Sequence, residues 1–167
     1  LLGLSLAAPS PDAACDHMAT LATRHYALPA PPPVELGRLC RDALAPATGK
    51  KGARALRCAV EADAWPSLVD CPAPVPEAAV RLDPMPGRIA AACRHFGTLL
   101  DAELGRIGAE ESAERQAACE RDTAVMGEGT DGAVFGKAVA CLGEAETVEA
   151  GTKYLGAGAH PVSSIVK

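Results

Sequence analysis

Two Cys-x-His pairs, Cys15/His17 and Cys93/His95, are the residues whose types best suit chemistry. A thiolate and an imidazole are good ligands for a soft metal. Their spacing argues against that use. Two positions along a helix turn a side chain by about 200°, so i and i+2 face opposite ways and one helix cannot chelate with such a pair. The expected arrangement is a Cys turned inward as half of a disulfide and a His turned to the surface or capping a neighbour. His25 and His160 have no ligand-spaced partners. No metal site and no cofactor are therefore expected.

The remaining motifs are weaker. Gly127 to Gly132 fits GxGxxG in form. A dinucleotide fingerprint needs a strand before it, whereas a helical pattern precedes this one, and Glu128 and Asp131 would repel a pyrophosphate. Glycines ending one helix, with Thr130 or Asp131 capping the next, explain the segment better. Thr48 to Gly52 lacks the upstream glycine of a phosphate-binding loop. No GxSxG or HExxH occurs, and Glu110, Glu111 and Glu114 fit a solvated first helical turn favoured by the helix dipole. No residue is nominated as catalytic, and the chain is read as a non-enzyme.

The chemistry-bearing residues recur in order. One copy runs Cys15-Asp-His17-Met18, then Cys40-Arg-Asp42, then Cys58-Ala-Val-Glu61-Ala62, and ends at Cys71. The other runs Cys93-Arg-His95-Phe96, then Cys119-Glu-Arg-Asp122, then Cys141-Leu-Gly-Glu144-Ala145. The cysteines shift by 78, 79 and 83 positions between copies, and the slot of Cys71 falls near Lys153 and Tyr154, where no cysteine stands. Such self-similarity marks an internal repeat.

Each copy reads as three helices. Ile89, Cys93, Phe96, Leu100, Leu104 and Ile107 follow the spacing of one buried face, and Cys15, Met18, Leu21 and Ala22 do so more weakly. Asp12, after Pro11, is the expected N-cap of the first helix. Second helices are expected from Pro33 and over 109–126, and third helices over 51–62 and 133–142. The prolines at 72, 74, 76, 84 and 86 suggest an extended linker. The expected fold is all-α: two tandem disulfide-braced three-helix units, about six helices in all. The expected divisions are 1–11 as the remnant of a signal segment, 12–71 as unit one, 72–87 as the Pro-rich linker, 88–155 as unit two and 156–167 as a flexible tail.

Seven cysteines in 167 residues, none closer than 13 positions to another, exclude CxxC redox chemistry, zinc knuckles and cysteine-ligated iron–sulfur motifs. They suit a disulfide framework. The preferred pairing is Cys40–Cys58, Cys15–Cys71 and Cys119–Cys141, which leaves Cys93 as the unpaired thiol, expected to be buried and inert, with a homodimer through an intermolecular bridge as the other reading. Cys15–Cys58 with Cys40–Cys71 competes, and then Cys119 is left over. The apolar run over 1–8, with a small-residue cleavage pattern at Ser5-Leu6-Ala7, reads as the end of a secretory signal, so export is expected. That run is too short to span a bilayer, and no transmembrane span is expected. Net charge −5 and 3% aromatics argue against a nucleic-acid-coating surface and against a base-stacking platform.

The ordered set Cys15-Asp-His17-Met18, Cys40-Arg-Asp42, Arg57-Cys58, Ala62 and Cys71 resembles the uncharacterised Cys-rich helical repeats of exported proteins from myxobacteria and similar high-GC bacteria. The resemblance covers about 15–71 and 93–145. The chain departs from it by lacking the last cysteine of the second copy and the usual Trp-Ser near Cys119. The resemblance implies compartment and architecture but no catalytic residues. The expected function is that of a non-catalytic, envelope-associated binding or structural module whose partner would be another envelope protein. A periplasmic metal-binding or redox-responsive Cys/His protein is the alternative.

Overall fold

A computed structural model describes residues 8–156 of the chain. The expected signal remnant falls mostly on residues 1–7, and the expected tail, with His160, on 157–167; both lie outside the described residues. Those described form eight α-helices and one 3₁₀ turn, with no strand among them. The chain divides into two compact units at Pro84/Met85.

Unit one contains α1 (Pro11–His25), α2 (Val34–Leu44), α3 (Gly49–Glu61), the 3₁₀ turn Trp65–Asp70 and α4 (Val75–Leu82). Helix α1 starts two residues earlier than expected. Pro11 occupies its first position, where a missing amide costs nothing, and the Ser10 hydroxyl accepts from the Ala13 amide at 3.1 Å. Ser10 is therefore the cap, and Asp12 lies inside the first turn.

Helix α4 replaces the expected linker. Pro74 caps it and Pro76 lies in its first turn, so these prolines start a helix instead of preventing one. Val75, Ala78 and Leu82, spaced i, i+3, i+7, are completely buried in a core with Ala14, Met18, Leu44, Ala59 and Leu68. The unit thus has four α-helices, not three. Helix α1 packs against α2 and α3, while α4 covers α2. Alanines at these contacts let the helices approach closely. A Cβ on Gly52 would lie 2.1 Å from the Ala47 carbonyl carbon, so the start of α3 also depends on a missing side chain.

Unit two contains α5 (Met85–Leu104), α6 (Ala109–Gly127), α7 (Gly132–Gly143) and α8 (Val148–Gly156). Helix α5 buries Ile89, Cys93, Phe96 and Leu100, as their spacing predicts, whereas Leu104 is 67% exposed. Helices α6 and α7 both pack on α5, and α8 lies on α7 and α5. The glycine segment between α6 and α7 acts structurally: Asp131 caps α7, its Oδ1 accepting from the Ala133 and Val134 amides at 3.0 and 3.1 Å. Helix α8 is close to the helical counterpart of the 3₁₀ turn, which was not expected.

Three disulfides brace these units, and their pairing corrects the expected one. The bonds are Cys15–Cys40, Cys58–Cys71 and Cys93–Cys119, and Cys141 is the free thiol. The expected Cys40–Cys58 bridge required α2 and α3 to be neighbours, but α3 packs on α1. The buried stripes of α1 and α2 meet at Cys15 and Cys40, and those of α5 and α6 at Cys93 and Cys119. Cys58, near the end of α3, reaches Cys71 just beyond the 3₁₀ turn. Cys93 is therefore bonded, and neither Cys119–Cys141 nor Cys15–Cys71 forms.

Candidate functional site

The two histidines singled out in sequence hold the ends of the third helices. His17 Nε2 donates to the Ala62 carbonyl at 2.9 Å, and His95 Nε2 donates to the Ala145 carbonyl at 2.7 Å. A carbonyl only accepts, so the ring proton sits on Nε2 in both. Ala62 and Ala145 close the repeated Cys-x-x-Glu-Ala motif, so one contact explains two motifs in each copy. No group of three or more His, Cys, Asp or Glu side chains converges as a metal site among the described residues.

Cys141 is half-buried. Its counterpart by the repeat is Cys58, whose partner Cys71 has no equivalent cysteine in unit two. Tyr154 stands in that slot. A hydrogen bond between its phenol and the Cys141 side chain, with repulsion from the thiolate form, raises the Tyr154 pKa. Tyr154 thus stands where the first copy has the second cysteine of a disulfide.

A concavity lies in unit two, between the C-terminal half of α5 and the N-terminal half of α6. It encloses about 440 Å³, within the range of small-molecule sites. Its apolar wall includes Phe96, Leu100 and Ala113, and the Cys93–Cys119 disulfide lies along it. Across it, Arg115 Nη2 donates to Asp101 Oδ1 at 2.7 Å and to the Gly97 carbonyl at 3.3 Å. The Arg115 side chain is 15% exposed and that of Asp101 30%, whereas the pairs Arg81–Glu77 and Lys153–Glu149 are far more open to water. Desolvation makes such a pair more consequential than a surface one. Gln116 adds an amide, its Nε2 donating to the Ala90 carbonyl at 3.0 Å and to Glu120 Oε1 at 2.5 Å.

The first copy of the repeat serves as an internal comparison. Shifting by 78 positions along the first helix and 79 along the second places Leu36 at the position of Arg115, Thr23 at Asp101, Gly37 at Gln116 and Ala19 at Gly97. The charged pair and the amide are therefore particular to unit two. Together they set a strong donor and a strong acceptor side by side above an apolar floor. That combination can hold a small molecule with adjacent acceptor and donor groups and an apolar portion. Arg115, Asp101 and Gln116 were not singled out from the sequence. The signal available was the loss of apolar character on α6 where α2 carries Leu36.

Comparison with protein-family models, curated proteins and solved structures returns no match.

Proposed function

We propose that the chain is a non-catalytic, exported binding module, associated with the cell envelope, that seats its ligand in the α5/α6 groove. The observation that carries this reading is the set of three disulfides within two small helical units. Disulfides at this density belong to oxidising compartments and compensate for small cores. No helix among the described residues is long and apolar enough to cross a membrane. The groove supports binding as the activity because it pairs a partly desolvated Arg115–Asp101 couple with apolar walls.

The test is a thiol count on native protein recovered from fractionated cells. The expected result is recovery in the envelope or extracellular fraction with one thiol among seven cysteines. Recovery from the cytosol with most thiols free would refute export, and bound zinc or copper in that material would favour a metal-binding role.

A further inference from the structure

Helix α3 carries Lys50, Lys51, Arg54 and Arg57, all exposed. Its buried residues are Gly52, Ala55, Leu56 and Ala59. At 100° per residue, Lys50, Arg54 and Arg57 fall opposite that buried face, and Lys51 flanks them. The four cations span about 10 Å, close to one Debye length at physiological salt, so they act as one patch. Glu61, also exposed, lies at the far end of the same stripe.

This placement works against the helix. The N-terminal end of a helix dipole favours acids, yet the first turn of α3 has none, and the Thr48 hydroxyl makes no capping bond. None of the four cations joins an ion pair found among the described residues. The second copy does not repeat the pattern. A shift of 83 positions, that of Cys58 to Cys141, places Ala133, Val134, Lys137 and Ala140 at these sites. The cations are thus not required by the repeat fold, and they are concentrated on one helix of a chain whose net charge is −5.

We infer that the outward face of α3 is a docking surface for an anionic phospholipid bilayer. A short cationic stripe along one exposed helix face suits a flat, moderately charged surface, against which the outward face of α3 can lie. Nucleic acid fits less well: there is no aromatic side chain on α3 to stack a base, and a dense polyanion repels the rest of an acidic chain. The choice of lipid rests on the proposed export, whereas the stripe does not. Each Lys or Arg near an anionic surface is worth about fivefold in partitioning at low salt.

The experiment is vesicle co-sedimentation of the purified full chain in 50 mM NaCl, so its outcome is separable from the fractionation result. Vesicles of 30% phosphatidylglycerol in phosphatidylcholine should bind the protein, pure phosphatidylcholine should not, and 0.5 M NaCl should release it. The double variant Lys50→Gln/Arg54→Gln should bind about 30-fold more weakly, as should Lys51→Gln/Arg57→Gln if the first pair fails to fold. Lys137→Gln, in unit two, should bind as the parent does. Trp65 fluorescence reports whether unit one is folded in each. The inference is overturned if the parent shows no preference for phosphatidylglycerol, if neither folded double variant weakens binding, or if Lys137→Gln weakens it as much. Tighter binding to duplex DNA than to the anionic vesicles would overturn the lipid assignment.

Discussion

Removing Cys93–Cys119 tests both the pairing and its energetic role. The bridge closes a loop across 26 positions, and it is the only disulfide in unit two among the described residues. The loop-closure entropy of a chain that long corresponds to about 3.5 kcal/mol at 25 °C in the chain-entropy treatment. For a unit of this size that is a fall in Tm of about 15–25 °C. Cys93→Ser/Cys119→Ser should therefore melt unit two well before unit one. The two units can be followed separately, because the chain's one tryptophan, Trp65, lies in unit one. Its fluorescence reports unit one, while far-UV circular dichroism reports both. The expected result is a new early step in circular dichroism with no matching step in fluorescence. Cys58→Ser/Cys71→Ser, closing 13 positions in unit one, should instead shift the fluorescence transition, by about 3 kcal/mol. Non-reducing peptide mapping of the parent should yield Cys93 cross-linked to Cys119. An unshifted circular dichroism profile for Cys93→Ser/Cys119→Ser, or a Cys119–Cys141 peptide in the parent, would refute the pairing and the stability argument together.

Three further perturbations have worked expectations. Gly52→Ala drives a Cβ into the Ala47 backbone and should cost about 3 kcal/mol by denaturant titration, whereas Gly87→Ala, with nothing within 4 Å, should be neutral or slightly stabilising. His95→Leu strips the Ala145 carbonyl of its donor and should lower the stability of unit two by about 1–2 kcal/mol; an unchanged melting profile would show that water replaces the ring at no cost. Tyr26 donates to Asp83 Oδ2 at 3.3 Å, and burial first, then the Asp83 charge, push its pKa up to about 12. The folded chain keeps a phenolic proton that the unfolded chain loses from pH 10, so stability from this group is intact below pH 10 and falls as pH rises towards 12. Absorbance titration at 295 nm in a Cys141→Ser background, which silences disulfide exchange, should show that high ionisation, and Tyr26→Phe should remove the slope.

Much of the frame is legible in sequence because it is local. Helices α1, α2, α3, α5, α6 and α7 follow from apolar spacing within single segments. The His17 and His95 reading follows from the same geometry, since i and i+2 diverge. Helix α4 is masked in sequence by Pro72, Pro74 and Pro76, although Val75, Ala78 and Leu82 have the spacing of a buried stripe. The disulfide pairing is not legible for a different reason. Which helix lies beside which is a property of packing between segments, and the order of helices along the chain suggested α2 against α3. The empty slot near Tyr154 is visible in sequence, but a Cys15–Cys71 pairing would place its consequence at Cys93. With Cys58 as the true partner, the thiol left over is Cys141. Arg115 and Asp101 meet across a hairpin between two helices, and no periodicity within either helix encodes that meeting.

What the two copies share and where they differ divides the residues by role. In both, the cysteine of the first helix ties it to the second, and the histidine two positions on reaches the end of the third. The turned-in Cys and turned-out His therefore join three helices from a single turn of chain, which accounts for their recurrence without any metal. The last tie differs: a Cys58–Cys71 disulfide in one copy, and in the other a free Cys141 with Tyr154 in the slot of its partner. Neither Arg115, Asp101 and Gln116 at the α5/α6 groove nor the four cations on α3 belong to these shared ties. Arg115 stands where the other copy has Leu36, and Lys50 where it has Ala133. A scaffold that holds its shape through repeated ties leaves its exposed positions free to diverge, so the charged residues found in one copy only are the places where a binding role is to be sought.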